Sequence, residues 1–451
     1  MRQLKIGTSS VRGVVGEALT PALVVNFASA FGTWCDGGPV VIGRDTRGSS
    51  AMLRAAVTAG LLATGCEVID LGVCSTPLVA FAVRELGAEG GLSITGSHND
   101  AAWNALKFVG SGGALLNTAK GEELLDIYHT SDFRLATWDR VGPVTGDGQV
   151  VARYLEHLLA ALDVAAIRQR QPRVVVDFCN GAVGAVARRF LEALGCSLTA
   201  LNEEPSGTFA HPPAPSAANM APLAEEVRRS GADLGAAINV DGDRLGFATG
   251  AGLALSEEYG LPLAAMARLR RRPGPVVTNY STSGMVDAVA QAAGQRVVRT
   301  VVGENHVVDR GVAVGAVLAG EGNGGVAVLP TSTTFDGLLT LGVVLEELAV
   351  SGGTLQALVD RIPPRSMRKR GLGCPPNVAY RVLEALRVRY AELNPDGSDG
   401  VRVTWPDAWL HVRASNTEPL LRIIAEATTP ARCQAVFVEA LDAAEREMGT
   451  P

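Results

Sequence analysis

The stretch Val40-Val41-Ile42-Gly43-Arg44-Asp45 is a β-branched run that ends in a polar turn. Ala-rich amphipathic sequence follows it, and a glycine then opens another apolar run at residues 65–72. The same unit recurs at residues 174–201 and 276–301. Apolar strands separated by amphipathic sequence indicate a sheet that helices cover on both faces. Because the repeat is far longer than the unit of a solenoid, we predict three related α/β domains with mixed sheets.

The last part of the chain has a different pattern. Residues 378–393 and 430–448 have helical periodicity, and the strand-like runs 400–404, 409–413 and 420–426 lie between them. This order indicates a smaller α+β C-terminal domain with antiparallel strands. Pro363-Pro364 is a candidate hinge before it. We predict domain boundaries at residues 1–145, 150–251, 252–362 and 368–451.

The composition limits the partners. A formal net charge of −6 and a pI of about 5.7 argue against nucleic acid or an anionic membrane, since both attract basic surfaces. No run is apolar and long enough to span a membrane, and the start of the chain lacks the apolar core of a signal peptide. Seven scattered cysteines without a C-x-x-C pair are typical of reduced cytosolic thiols. We therefore predict a cytoplasmic protein with no nucleic-acid partner and no membrane partner.

The first candidate functional segment is Thr95-Gly96-Ser97-His98-Asn99-Asp100. It follows an apolar run, so Ser97 is expected at the end of a strand, where α/β folds place their sites. The adjacent His98 need not be its base, because neighbours in sequence usually point apart, and a hydrolase triad is not established. A polar loop without function is the alternative interpretation of this segment alone.

The second segment is Asn239-Val240-Asp241-Gly242-Asp243-Arg244. Its alternate oxygen-bearing side chains lie on a tight turn, which suits a hard cation such as Mg²⁺. Magnesium also prefers few protein ligands together with a phosphate oxygen. An Asx-turn with a solvated pair of aspartates is the alternative.

The third segment is Gly320-Glu321-Gly322-Asn323-Gly324-Gly325. Its glycines allow the backbone to approach a ligand closely, and Glu321 and Asn323 can bond to sugar hydroxyls. The segment matches neither a dinucleotide fingerprint nor a P-loop. A flexible turn is the alternative.

The fourth segment is Arg413-Ala414-Ser415-Asn416-Thr417-Glu418-Pro419, with Arg422 beyond it. Hydroxyls, an amide and backbone N–H groups between two arginines favour a phosphate-binding loop. A hairpin turn with surface arginines is the alternative.

These segments, in this order, resemble the α-D-phosphohexomutase family, which includes phosphoglucomutases, phosphomannomutases and phosphoglucosamine mutases. The resemblance runs from Gly7-Thr8-Ser9-Ser10-Val11-Arg12-Gly13 to Arg422 and covers essentially the whole chain. It implies four domains around a central cleft, each contributing one loop. It also implies an isomerase that interconverts hexose 1-phosphate and hexose 6-phosphate through a phosphoserine and a bisphosphate intermediate.

The resemblance implies a role for the first two segments. Ser97 would be the phosphoserine. Asn239, Asp241 and Asp243 would hold Mg²⁺, with a phosphate oxygen on Ser97 as a further ligand. The residues around the reacting phosphoryl group would be Arg12, His98, Lys107 and Arg244, with Lys107 as candidate general acid or base.

The other two segments would bind the substrate. Glu321 and Asn323 would contact sugar hydroxyls. The phosphate that does not react would be held by Arg413, Ser415, Asn416, Thr417 and Arg422.

Several positions depart from the family pattern. Asn239 stands where the family usually has an aspartate, so one negative charge is missing and we predict weaker binding of Mg²⁺. Asp100 replaces a usual proline, and Ala105 and Ser10 each replace a usual glycine. None of these changes removes a reacting group, but together they leave room for altered activity.

The preferred sugar is ambiguous, because two motifs resemble different branches of the family. The form of residues 95–99 resembles phosphomannomutases and phosphoglucomutases, whereas residues 320–325 resemble phosphoglucosamine mutases. We predict glucose and mannose phosphates as substrates, hexose 1,6-bisphosphate as intermediate and activator, and a monomer or homodimer. Phosphoglucosamine mutase is the alternative, and a sugar-phosphate phosphatase or a non-catalytic sugar-phosphate binding protein is a more distant one.

Overall fold

The computed structural model describes residues 4–415 and 419–449. It confirms three related α/β domains with mixed sheets and a smaller α+β C-terminal domain. Within the described ranges, no helix combines the length and the apolar character that crossing a membrane requires. The predicted Asn416 and Thr417 lie outside the described residues.

The first domain is built on the sheet that contains the Val40 run. Its strands are β1 (Leu4–Ile6), β2 (Ser10–Val14), β3 (Val40–Arg44), β4 (Val68–Val73), β5 (Gly90–Ile94), β6 (Trp103–Gly110) and β7 (Val144–Thr145). Its helices are α1 (Pro21–Trp34), α2 (Ser50–Ala63), α3 (Thr76–Glu85) and α4 (Thr118–Thr130). The strand order is β1-β2-β6-β5-β3-β4-β7. Thr20 begins α1 by accepting a hydrogen bond from the Leu23 amide, as Ser75 does for Leu78 at α3.

The second domain has the sheet order β11-β10-β8-β9. Its strands are β8 (Arg173–Asp177), β9 (Ser197–Leu201), β10 (Leu234–Ile238) and β11 (Leu245–Thr249). Its helices are α5 (Val150–Ala160), α6 (Val164–Arg170), α7 (Gly184–Ala193) and α8 (Ala221–Ser230), with a short 3₁₀ turn at Ala217–Asn219.

The third domain has the sheet order β13-β12-β14-β15. Its strands are β12 (Val276–Asn279), β13 (Val297–Thr300), β14 (Leu318–Gly320) and β15 (Val326–Val328). Its helices are α9 (Gly260–Arg271), α10 (Met285–Ala292), α11 (Glu304–Ala313), α12 (Gly337–Ser351) and α13 (Leu355–Val359), with a 3₁₀ turn at Glu257–Tyr259.

The three α/β domains share one core arrangement of strands. In the first, β3 pairs in parallel with β4 and β5, and β5 pairs antiparallel with β6. In the second, β8 pairs in parallel with β9 and β10, and β10 pairs antiparallel with β11. In the third, β12, β13, β14 and β15 repeat this pattern. The Ser97, Asp243 and Glu321 segments therefore occupy equivalent hairpin turns in three copies of one unit.

The fourth domain is an antiparallel sheet with helices. Its strands are β16 (Ser366–Gly373), β17 (Val401–Thr404), β18 (Ala408–Ala414) and β19 (Leu420–Ala427), and its helices are α14 (Pro376–Arg389) and α15 (Pro430–Gly449), with a 3₁₀ turn at Ala391–Leu393. The sequence pattern did not predict β16. Residues 368–371 are exposed at the edge of the sheet, so no alternation of apolar and polar residues marks this strand.

Candidate active site

A cavity of about 380 Å³ lies between the domains and is lined by residues of all four. Many of the predicted site residues line it, namely Arg12, Ser97, His98, Lys107, Asp243, Arg244, Glu321, Asn323, Arg413, Ser415 and Arg422. Asn239 and Asp241 do not line the cavity but are fully buried against the residues that do. The tertiary structure thus brings together the predicted residues that it describes.

Ser97 lies in the tight turn between β5 and β6. Its backbone has a φ of +50°, in the left-handed region, which presents the side chain at the strand end. The amide of Ser97 donates to Thr95 Oγ1 at 2.9 Å, and the hydroxyl lies 3.3 Å from both carboxylate oxygens of Asp243. The hydroxyl therefore contacts the turn between β10 and β11 of the second domain, which carries Asp243.

Arg47 supports this turn, and the sequence analysis did not identify it. The side chain is fully buried and donates to the carbonyl oxygens of Ser97, at 3.0 Å, and of Asn99. Asp45 forms an ion pair with Arg47 and accepts a hydrogen bond from Thr95 Oγ1. Because Arg47 lies just beyond the end of β3, its position at the carboxyl edge of the sheet was the available signal.

Lys107 bridges the two aspartates of the second domain. Its Nζ lies 2.7 Å from Asp241 Oδ2 and 2.6 Å from Asp243 Oδ2. Burial would by itself lower the pKa of Lys107, but Asp241 and Asp243 outweigh that effect and raise the pKa above its usual value. Lys107 is thus an ammonium group that neutralises part of a buried carboxylate pair.

Asn239 turns the nitrogen of its amide, not the oxygen, toward the carboxylates. Its Nδ2 donates to Asp243 Oδ1 at 2.6 Å, to Asp241 Oδ1 at 3.0 Å and to Ser97 Oγ at 3.1 Å. Its Oδ1 accepts from the backbone N–H of Arg244 at 3.0 Å, and this bond accounts for the orientation. The amide therefore acts as a donor to the groups that were expected to share a metal with it.

The oxygens of this cluster fit a magnesium ion. Asp241, Asp243 and the Ser97 hydroxyl converge as hard ligands, which is the donor chemistry that Mg²⁺ prefers. Asn239 would join them as an oxygen ligand only if its amide turned over and released the Arg244 N–H. Without Asn239, the proposed ligands of the ion are the carboxylates of Asp241 and Asp243 and the Ser97 hydroxyl.

His98 and Arg244 lie beside the serine in the cavity wall. The Arg244 guanidinium, followed by burial, holds the pKa of His98 well below its usual value. The imidazole is therefore neutral, and its buried Nδ1 has no hydrogen-bond partner among the described residues. A neutral imidazole can donate or accept one hydrogen bond toward a bound anion.

The hairpin turn of the third domain holds Glu321 in a fixed orientation. Its Oε1 accepts from Asn279 Nδ2 at 2.7 Å and from the Gly303 amide at 2.8 Å. Its Oε2 accepts from Asn323 Nδ2 at 2.8 Å. Only 5 % of Glu321 is exposed, so these contacts decide which face of the carboxylate meets the cavity.

Glu304 is an acidic residue in the cavity wall besides Asp243 and Glu321, and the sequence analysis missed it. Desolvation raises the pKa of Glu304 to about 8, although the nearby Lys107 ammonium lowers it in part. The side-chain Oε1 accepts a hydrogen bond from the Phe335 amide at 2.9 Å. No motif marks it, because it opens α11 after an ordinary apolar run.

Arg413 and Arg422 face each other in the fourth domain. They are direct register partners on β18 and β19, and both line the cavity. Arg413 is 6 % exposed, and its Nε donates to Asp399 Oδ1 at 3.0 Å. Two guanidinium groups that line the same part of a cavity suit a phosphate, which arginine binds through paired hydrogen bonds.

Four domain families match the chain in order. "Phosphoglucomutase/phosphomannomutase, alpha/beta/alpha domain I" matches residues 3–135, and the corresponding domains II and III match residues 152–252 and 258–366. The C-terminal domain of the same series matches residues 378–443.

Curated relatives and a solved structure agree with these matches. The chain is 34% identical to a phosphoglucomutase/phosphomannomutase of Thermococcus kodakarensis, over 93% of this chain and 94% of that protein. It is 35% identical to a "Probable phosphoglucosamine mutase" of Methanopyrus kandleri, over 98% of this chain and 97% of that protein. A crystal structure of a phosphoglucomutase/phosphomannomutase family protein from Burkholderia thailandensis superposes with a TM-score of 0.85 at 28% identity, covering 98% of each chain.

Proposed function

We propose that this chain, which belongs to the phosphoglucomutase/phosphomannomutase family, is a phosphohexomutase that interconverts hexose 1-phosphates and hexose 6-phosphates. The observation that carries the proposal is one cavity with two ends of different kinds, a serine hydroxyl beside carboxylates at one and a pair of arginines at the other. At one, the Ser97 hydroxyl contacts Asp243 and Asn239; at the other, Arg413 and Arg422 face each other on adjacent strands.

The proposed reaction has two balanced half-reactions. In the first, the 6-hydroxyl of a hexose 1-phosphate attacks the phosphoryl group on Ser97; the bond from phosphorus to the serine oxygen breaks, and one from phosphorus to the sugar oxygen forms. The proton of the sugar hydroxyl leaves to a base, and Ser97 regains a hydroxyl. In the second, the resulting hexose 1,6-bisphosphate turns around and Ser97 Oγ attacks its 1-phosphoryl group; the bond from phosphorus to the sugar O1 breaks, the serine proton is passed on to O1, and hexose 6-phosphate leaves. Positioning and charge neutralisation are the main requirements of such transfers.

We assign the surroundings of the reacting phosphoryl group to residues that line the cavity. Arg12 and Arg244 would neutralise its charge, and neutral His98 would orient it through a hydrogen bond. Lys107, the predicted general acid or base, carries its proton in this structure and so would act as an acid toward the leaving oxygen. When bound, Mg²⁺ would supply a further positive charge for the phosphoryl oxygens. Ser97, Asp241 and Asp243 would hold the ion, with Asn239 as a further ligand if its amide turned over.

The remaining residues would bind the part of the substrate that does not react. Glu321 and Asn323 would contact sugar hydroxyls. The distal phosphate would be held by Arg413, Ser415, Asn416, Thr417 and Arg422. Binding energy at a remote phosphate can hold the reacting hydroxyl in line.

We propose glucose and mannose phosphates as substrates, with glucosamine phosphate as the alternative that the name of the Methanopyrus relative favours. The facing arginines support a mutase over a phosphatase, since transfer to water needs no second phosphate site. The intact set of Ser97, Lys107 and Asp243 supports catalysis over binding alone. A cytoplasmic location is part of the proposal, and the free thiols of all seven cysteines, which lie in the described ranges, support it. A monomer or homodimer is the proposed oligomeric state.

The test is ³¹P NMR of glucose, mannose and glucosamine 1-phosphates with Mg²⁺ and a trace of glucose 1,6-bisphosphate. Growth of 6-phosphate signals with the wild type, and not with Ser97→Ala, is expected. The relative rates would identify the preferred sugar. Release of inorganic phosphate alone would point to a phosphatase, and no change with any of the sugars would contradict the mutase.

A further inference from the structure

The turn that follows β12 contacts the sugar-binding segment, although none of the four motifs includes it. Asn279 ends the strand and is 4 % exposed. Its side-chain nitrogen donates to Glu321 Oε1 at 2.7 Å, and its side-chain oxygen accepts from the Ser281 amide at 2.8 Å. The two ends of one amide thus serve two different partners, the carboxylate and the turn.

The contacts of Glu321 leave it a limited capacity for a ligand. A carboxylate has about four acceptor positions. Asn279 and the Gly303 amide use both positions of Oε1, and Asn323 uses one position of Oε2. The remaining position, on Oε2, is available to a hydroxyl in the cavity that Glu321 lines.

The turn itself is anchored on both sides. Thr282 Oγ1 donates to Asn279 Oδ1 at 3.0 Å and accepts from the Gly322 amide at 3.0 Å. Ser281 Oγ lies 2.9 Å from His411 Nδ1 on β18 of the fourth domain. Asn279 is therefore held between the sugar-binding segment and the domain that carries the facing arginines.

We propose that Asn279 is a positioning residue for sugar recognition, which orients the Glu321 carboxylate so that one acceptor position of Oε2 meets a substrate hydroxyl. This inference rests on the proposed function and adds to it a residue that orients Glu321, the proposed sugar contact. Its donor group is the functional end. The opposite end of the amide has the structural task of holding the turn.

Asn279→Asp separates these two tasks. The substitution keeps the oxygen that accepts from Ser281 and Thr282, and aspartate is well suited to such a turn. It removes the N–H donor and places a carboxylate against Glu321 Oε1. A residue that only stabilised the turn would tolerate this change, whereas one that positions Glu321 would not.

The experiment measures kcat and KM for glucose 1-phosphate, and the affinity for glucose 6-phosphate by titration calorimetry, so that binding is judged without turnover. Asn279→Asp is expected to weaken binding and lower kcat/KM by roughly ten- to a hundredfold, since a charge-assisted hydrogen bond is replaced by repulsion. In a Glu321→Gln background, Asn279→Asp is expected to cost less than it does in the wild type, because an amide nitrogen at the position of Oε1 can donate to the new carboxylate, although the Gly303 amide then loses its acceptor.

Asn202→Asp is the matched control. Asn202 Nδ2 donates to buried Asp177 at 3.0 Å in the second domain, and neither residue lines the cavity. The control is expected to lower thermal stability as the test variant does, and to leave substrate binding unchanged. Equal losses from Asn279→Asp with and without Glu321→Gln, or wild-type affinity in Asn279→Asp, would overturn the inference. Wild-type protein that binds glucose 6-phosphate but never isomerises it would overturn the proposed function alone, and protein that binds no sugar phosphate would overturn both.

Discussion

The side-chain amide of Asn239 donates to the Ser97 hydroxyl, with Nδ2 3.1 Å from Oγ. The same nitrogen donates to Asp243 Oδ1 and Asp241 Oδ1. The amide nitrogen of Asn239 therefore acts as a hydrogen-bond donor at the centre of the proposed metal site. An aspartate at this position would instead add a third negative charge. This relationship determines the first prediction.

Asn239→Asp is expected to increase the affinity for Mg²⁺ by about tenfold or more, because affinity for hard cations rises with the number of charged ligands. Titration calorimetry with Mg²⁺ alone measures this without turnover. Asn202→Asp, which adds the same charge outside the cavity, is expected to have no effect. An unchanged Mg²⁺ affinity in Asn239→Asp would show that residue 239 does not ligate the ion.

Lys107→Met is expected to destabilise the metal-free protein by about 3–5 kcal/mol, because it leaves the carboxylates of Asp241 and Asp243 buried without their cation. Mg²⁺ is expected to raise the melting temperature of this variant more than that of the wild type. Differential scanning fluorimetry with and without Mg²⁺ checks both effects, with the exposed Lys120→Met as control. The same Mg²⁺ response in wild type and variant would contradict a shared site for the ion and the ammonium group.

Lys369→Met is expected to weaken the junction between the third and fourth domains. Lys369 on β16 lies 2.6 Å from Glu258 Oε1, and Glu258 is only 3 % exposed. Burial raises the pKa of Glu258 to about 7 even with Lys369 in place, and loss of Lys369 raises that pKa further, so at pH 8 the variant has to bury an unpaired charge or take up a proton. Loss of the partner leaves a buried charge and costs about 1–3 kcal/mol.

Adding Glu258→Gln to Lys369→Met is expected to restore much of the lost stability, because the uncompensated charge is gone. Thermal unfolding of the two single variants and the double variant measures the coupling. Additive losses would mean that the pair does not stabilise the junction.

Glu304→Gln is expected to flatten the fall of stability as the pH rises from about 4.5 to 8. Desolvation raises the pKa of Glu304 from 4.5 to about 8 in the folded protein. Between these values the folded state holds a proton that the unfolded state has lost, so stability falls as the pH rises from about 4.5 to 8. Glutamine cannot ionise, and its oxygen can still accept from the Phe335 amide.

The measurement for Glu304 is the difference in melting temperature between pH 5 and pH 8.5. Asp309→Asn, at an exposed position of α11, is the control and is expected to behave as the wild type. If Glu304→Gln left the pH dependence of the melting temperature unchanged, that dependence would have to come from other groups.

The repeat at Val40, Val174 and Val276 predicted the α/β domains because buried strands need continuous apolar runs that stand out in sequence. Three of the four candidate segments are equivalent hairpin turns of this unit, which only the strand pairing reveals. Turns of this kind are rich in glycine and polar residues and can therefore be recognised from the local sequence. The edge strand at Ser366–Gly373 was missed because its exposed residues have no such pattern.

Residues that act through contacts with distant parts of the chain were not found in this way. Arg47 reaches the carbonyl oxygen of Ser97 across 50 positions, and Asn279 reaches Glu321 across 42. Glu304 enters the cavity only because α11 begins at its wall. Each lies in a stretch whose local composition is ordinary.

By itself, the sequence determined the α/β repeat and the smaller last domain, because strand and helix patterns depend on neighbouring residues. It also marked the candidate segments, and their proposed roles come from the resemblance of the four together to one family. Only the tertiary structure decided how those segments meet. Lys107 between Asp241 and Asp243, Asn239 with its nitrogen on Ser97, and Arg413 opposite Arg422 are arrangements of distant residues. Charge and hydrogen bonding act over a few ångströms in space, and distance along the chain does not determine them.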